Sequence, residues 1–192
     1  MTLTPVPPGE IATVVTHLEM AARPTDFFVP PSSLRLARWH QPPPDEYRDL
    51  FRAVGGRWLW YSRLLKSDGE LLAATHRPQT EVHRALDGEN RAGFVELTWP
   101  EPDWCAIDFF GLAPAWIGGG QGRWLLASAL ALAWREGVAF VRVNTCTLDH
   151  PAALPTYLRA GFRVTGRSVE TFPDPRLAGV LPPDVAPQLG PP

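Results

Sequence analysis

The spacing of apolar residues changes several times along the chain, and each change predicts an element. Residues 11–20, IATVVTHLEM, are β-branched enough for a strand, and a loop follows through Pro31. In SLRLARWH, Leu34, Leu36 and Trp39 alternate with polar neighbours, as in a half-buried strand. PDEYRDLFRAV takes the spacing of an amphipathic helix, stopped by Gly55 and Gly56. RWLWYSRLL reads as helical, and Ser67 with Glu70 has the capping-box spacing that opens a further helix. TEVHRALDGENRAGFVELTW is two runs about an Asp-Gly pair, a hairpin. WCAIDFFGL is the next strand, then a long Leu/Ala-rich helix, then the buried strand AFVRVNTCT. HPAALPTYLRAGF predicts a helix opened by Pro151 and closed by Gly161, and RVTGRSVETF a last strand.

Antiparallel hairpins come first and one strand–helix–strand crossover comes later, which predicts an α/β fold on a mixed, mostly antiparallel sheet with an extra N-terminal strand. Proline punctuates both ends. Residues 1–10 are expected to be extended or disordered, 11–172 to form one domain, and 173–192 to make a Pro-rich tail, draped over the domain or disordered.

Composition narrows the function. With 18 basic and 20 acidic residues, the formal charge of −2 gives no basic surface for nucleic acid or membrane. Only Cys105 and Cys146 are present, so a disulfide framework is not expected, and scattered histidines make no convincing metal shell. The first ten residues lack the pattern of a signal peptide, and the longest apolar run, from Trp124 to Trp134, is too short for a bilayer. A cytoplasmic protein is expected, as a monomer or homodimer.

One stretch asks for chemistry. Gly118, Gly119, Gly120 and Gly122 stand where the long helix begins. The first amides of a helix have no intrahelical partner, and glycine lets the backbone curl until several point at one anion, with diphosphate the natural guest. An ordinary glycine-rich turn is the plain alternative. Neither a Walker A loop nor a dinucleotide fingerprint fits, because Arg123 and Trp124 follow Gly122.

FFGLAPAWIGGGQGRWLLASALALA followed by HPAALPTYLRAGF resembles the GNAT acetyltransferase superfamily over Phe94 to Phe162. In that family a loop of the form Arg/Gln-x-x-Gly-x-Gly/Ala precedes a downstream Asn-x-x-Ala-x-x-x-Tyr-x-x-x-Gly-Phe. Gly120 and Gly122 fall on the two motif glycines, while Ile117 stands where Arg or Gln is usual. His150 stands in place of Asn, and Ala153, Tyr157, Gly161 and Phe162 match. The resemblance implies acetyl-CoA as co-substrate and no metal. It assigns the cofactor to Ile117–Gly120, Gly122 and Arg123, to the backbone of Phe110 and Leu112, and to Asn144 and His150. The implied reaction is direct attack by the primary amine of a small molecule or peptide in a ternary complex. The competing class is a non-catalytic acyl-CoA-binding or interaction module.

Tyr157 then becomes the acid for the leaving thiolate, since a phenol of pKa near ~10 is protonated at neutral pH. Positions 150, 153 and 157 share one helical face. Pro155 removes a helix hydrogen bond nearby. The carboxylate position common in relatives falls on Ala106, which leaves Glu96 and Asp108 as candidate bases, Glu96 preferred, with the His150 imidazole third. Trp58, Trp60 and Tyr61 read either as an aromatic wall for the acceptor's ammonium or as core.

Overall fold

The computed structural model describes residues 3–192, so Met1 and Thr2 of the expected N-terminal extension lie outside the described residues. Leu3–Gly9 carry neither helix nor strand. The ordered elements are β1 (Glu10–Met20), β2 (Arg35–Arg38), α1 (Pro44–Gly55), α2 (Asp68–Thr75), β3 (Thr80–Asp87), β4 (Asn90–Glu101) and β5 (Trp104–Leu112). They continue with α3 (Gln121–Ala133), β6 (Phe140–Cys146), α4 (Ala153–Arg159) and β7 (Arg163–Pro173).

The seven strands form one sheet in the order β2-β3-β4-β5-β6-β1-β7. Every pairing is antiparallel except β5 with β6, the two strands joined through α3. The N-terminal strand therefore lies inside the sheet, between β6 and the edge strand β7.

Alternation divides the sheet faces. Leu18, Val95, Leu97, Ile107 and Val143 pack with Leu125 and Leu126 of α3 in the largest core cluster. On the opposite face Tyr47 and Phe51 of α1 meet Val82 and Phe94 in a second cluster. No helix of the described residues is long and apolar enough to cross a membrane.

The expected capping box forms: Ser67 Oγ accepts from the Glu70 amide, and the Glu70 carboxylate accepts from the Ser67 amide at 2.8 Å. RWLWYSRLL is not a helix. Gly56–Trp58 make one 3-10 turn, and Leu59 adopts φ +58, where the helix ends. The cause is tertiary: Leu59 packs with Ile11 and Phe172 in a third cluster, whereas Trp60 packs against the α1 cluster. Consecutive side chains committed to separate cores do not fit the 100° step of a helix.

The Pro-rich tail is ordered. Buried Arg176 donates to Asp174 (Nε–Oδ1 3.0 Å, Nη2–Oδ2 2.8 Å) and through Nη1 to the carbonyls of Val185 and Gly190. Leu181 and Ala186 complete the cluster around Leu59. A proline-laden segment offers few amides for secondary structure, and here one buried guanidinium satisfies its carbonyls instead.

Candidate active site

β5 and β6 pair only from Trp104↔Phe140 to Ile107↔Val143, and beyond that point they separate. A register shift in β4–β5 leaves Asp108 unpaired between Leu97↔Ile107 and Glu96↔Phe109, a β-bulge at the point of separation. The Ala113 amide donates to Ala92 O at 2.8 Å. By ladder alternation the main-chain groups of Phe110 and Leu112 then face the gap. A cavity of about 510 Å³ fills it and runs from Gly118 and Gly122 to Trp58 and Tyr157.

The glycine loop forms the mouth. Gly118, Gly119 and Gly120 have φ of +109, +55 and +84, where a side chain would be strained. Within the loop, the Ile117 amide donates to Pro114 O and the Gln121 amide to Gly118 O, and Trp124 donates to Gly120 O. The amides of Gly118, Gly119, Gly120, Gly122 and Arg123 have no backbone acceptor among the described residues. Gly122 is inside α3 with no positive φ, and a Cβ there would meet nothing within 4 Å. Packing within the protein does not require that glycine, whereas an anion lying over the amides does. The loop therefore fits a diphosphate. Exposed Arg123 and Arg159, the latter not singled out from sequence, add cations along the same cavity.

Tyr157 is held edge-on to Phe162 and tilted against Phe110, with ring centroids 5.8 and 6.0 Å away. Its hydroxyl has no hydrogen-bond partner among the described residues, and the residue lines the cavity. Burial, reinforced by the Asp149 carboxylate, raises its pKa well above that of a free phenol. Pro155 is the third residue of α4, where the missing N–H would have no partner in any case, so it costs the helix little. Pro151 precedes the helix by two residues, in a turn in which His150 Nδ1 accepts the Ala152 amide at 3.0 Å.

The two carboxylates separate. Glu96 is 0% exposed beneath α1 and does not line this cavity; its oxygens are taken by the Tyr47 hydroxyl (2.5 Å) and by Arg63. Burial pushes its carboxyl above the usual range while Arg63 pulls the other way. Glu96, the carboxylate preferred from the sequence, is placed by strand alternation in a closed anchor for α1. Asp108 is exposed at the bulge and takes the Thr98 hydroxyl at 2.5 Å on Oδ2, with Oδ1 free among the described residues.

The aromatic residues also divide. Trp58 lies 5.1 Å from the His150 ring, and both line the cavity. Trp60 lines it too, its Nε1 donating to Asp149 Oδ1 at 3.1 Å. Its ring covers Gly55 so closely that an added Cβ would lie 2.2 Å away. Tyr61 turns elsewhere and stacks on Phe172 at 5.0 Å. Asp149, which sequence reading passed over, accepts from Trp60, from Thr145 Oγ1 at 2.8 Å and from the Cys146 amide at 2.9 Å. Only its position just before His150 hinted at a role. Asn144 Oδ1 meets His17 Nδ1 at 3.0 Å and lines the cavity.

Burial pushes the Cys105 thiol up to about 12, and burial with Asp149 raises Cys146, so neither is an activated nucleophile. No group of three or more metal-binding side chains occurs among the described residues.

The sequence profile of the acetyltransferase (GNAT) family matches residues 27–162. The chain belongs to this family. A GCN5-related N-acetyltransferase from Sphaerobacter thermophilus superposes with a TM-score of 0.62 at 16% identity, over 83% of this chain and 51% of that one. A tandem GNAT protein from the clavulanic acid biosynthesis pathway gives 0.61 at 19% identity, over 83% and 53%. An aminoglycoside acetyltransferase from an uncultured soil metagenomic sample gives 0.55 at 16%, over 67% and 87%. This chain thus spans about half the length of the first two. No curated protein is a significant match to the sequence. The expected GNAT fold on a mostly antiparallel sheet, with its extra N-terminal strand, is the fold observed.

Proposed function

We propose that this GNAT acetyltransferase moves an acetyl group from acetyl-CoA to a primary amine by direct attack in a ternary complex. The observation that carries the proposal is the run of unbonded amides at Gly118–Gly120, Gly122 and Arg123, opening on a cavity that Tyr157 also lines. When bound, acetyl-CoA supplies the thioester that is cleaved.

The chain's own residues divide the work. The glycine amides hold the diphosphate, and Arg123 adds charge beside it. Phe110 and Leu112 offer unpaired main-chain donors and acceptors to the pantetheine arm and the acyl oxygen. Asp108 takes a proton from the acceptor's ammonium, the freed amine attacks the thioester carbonyl to form the C–N bond, and Tyr157 donates a proton to the thiolate sulfur as the C–S bond breaks. With both cysteines disfavoured as thiolates, no acyl group needs to rest on the protein. A non-catalytic binder would have no use for a phenol kept protonated and unpartnered at the end of the cavity.

The test is a calorimetric titration with acetyl-CoA, followed by a screen of amines for release of free CoA. Binding with amine-dependent release is expected; no binding at all would defeat the reading.

A further inference from the structure

Helix α1 covers only part of its sheet face. The strips of β5, β6 and β1 beyond it enclose a second cavity of about 510 Å³, and this one is polar. Its walls are His17 and Glu19 of β1, Asp108 of β5, Arg142 and Asn144 of β6, and Thr165 of β7, around a small floor at Ala106. Ile107, Asp108, Val143 and Asn144 line both cavities. The two spaces therefore meet where β5 and β6 part, beside the bulged carboxylate.

The walls are already fixed. His17 spans three strands, with Nδ1 at 3.0 Å from Asn144 Oδ1 and Nε2 at 3.0 Å from Ser168 Oγ. Glu19 Oε2 accepts from Arg142 Nε at 3.0 Å, and the Arg142 guanidinium lies 5.1 Å over the Trp104 ring. What remains for a guest is a mixed polar wall: the acceptors Asp108 Oδ1 and Glu19 Oε1 beside the donors Arg142 Nη1 and Nη2 and Asn144 Nδ2. An ammonium and hydroxyl groups satisfy such a wall, whereas an apolar amine would desolvate carboxylates without repaying them. A cavity of this size suits a small molecule.

Resting on the acetyltransferase reading above, we infer that the second cavity is the acceptor site and takes a small hydrophilic amine, an amino sugar or amino alcohol. His17 and Glu19 act there as specificity residues supplied by the N-terminal strand. The family match begins at residue 27, after β1 has ended, so these two residues lie outside the matched profile.

The test uses the full chain with CoA bound and compares glucosamine with 2-phenylethylamine, by saturation-transfer NMR for binding and by CoA release for turnover. Glucosamine is expected to bind at least about tenfold more tightly than phenylethylamine. Ala106→Phe, which fills the floor, and Glu19→Gln, which removes a wall charge, should each weaken glucosamine binding by about threefold to tenfold or more while leaving the acetyl-CoA Kd within about twofold. Should Ala106→Phe melt early, Glu19→Gln decides. Preference for phenylethylamine, or glucosamine binding indifferent to both variants, would overturn the inference and move the acceptor to the Trp58–Trp60 end of the first cavity. Acetyl-CoA binding with neither amine bound would overturn it too while sparing the cofactor reading; loss of acetyl-CoA binding in the wild-type chain would sink both.

Discussion

Trp60 and Asp149 are joined by an indole-to-carboxylate hydrogen bond of 3.1 Å across the top of the open sheet. The same carboxylate closes the end of β6 through the Cys146 amide. One side chain thus fixes both the aromatic wall after α1 and the strand end beside the cofactor gap. Trp60→Phe should cost about 1 kcal/mol of stability, since Asp149 keeps its other two donors. Trp60 lines the cofactor cavity and not the polar one, so acetyl-CoA affinity should fall while the acceptor KM stays near wild type. A changed acceptor KM with unaltered acetyl-CoA affinity would instead place the acceptor against Trp60.

Gly122→Asp separates folding from binding. The new side chain has open space, replaces a helical glycine and places a negative charge at a helix N-terminus, so the free protein should melt at or slightly above the wild-type temperature. The same charge would repel a diphosphate, and thermal protection by acetyl-CoA should vanish. Retained protection would exclude the glycine loop as the diphosphate site. Gly120→Asp should also lose binding, with added strain from its φ of +84.

Tyr157→Phe should lower kcat by roughly 100-fold or more while acetyl-CoA affinity changes little. Because the hydroxyl has no partner among the described residues, its removal should leave Tm nearly unchanged. Its raised pKa keeps it protonated through neutral and mildly alkaline pH, so it should add no alkaline limb to the rate profile below about pH 10. Unaltered turnover in this variant would leave Tyr157 a packing residue.

His83 governs acid stability. It is buried with its Nε2 2.9 Å from Glu81, and burial together with Arg38 and Arg135 lowers its pKa to about 4. The unfolded chain, with His83 near the ordinary imidazole value of 6.5, binds a proton that the folded one refuses. Stability should therefore be level above pH 6.5 and fall as pH drops toward 4, by roughly 3 kcal/mol in all. Denaturant titrations of His83→Gln should show a flatter profile over that window. An identical slope would place the proton uptake elsewhere.

The Asp174–Arg176 clasp is the anchor of the C-terminal tail. Arg176→Ala strands a buried carboxylate and frees two carbonyls, and should cost on the order of 3 kcal/mol. Proteolysis within 177–192 should accelerate as Leu181 and Ala186 lose their seat against Leu59. A tail that stays protease-resistant would mean that its apolar contacts hold it unaided.

Much of this architecture was legible in local pattern. The capping box at Ser67, the Asp-Gly hairpin and the glycines before α3 each act within a few residues, where propensity and hydrogen-bond geometry decide the outcome. The segment 57–65 failed the same reading because Trp60 and Leu59 answer to separate cores. Glu96 and Asp108 were indistinguishable as letters. A one-residue bulge and the placement of α1 bury the first under Tyr47 and Arg63 and expose the second at the gap.

The sequence by itself determined the order of the elements, the motif that places the chain among the GNAT acetyltransferases, and the tyrosine facing the same way as Ala153. Those follow from contacts between near neighbours on the chain. Tertiary structure alone decided that β1 lies between β6 and β7, that the Pro-rich tail is clasped, and that His17, Glu19 and Asp108 share one polar cavity. The pairings of β1 with β6 and β7 join residues more than a hundred positions apart, as with His17 and Asn144, and depend on which strand edges meet once the core has closed.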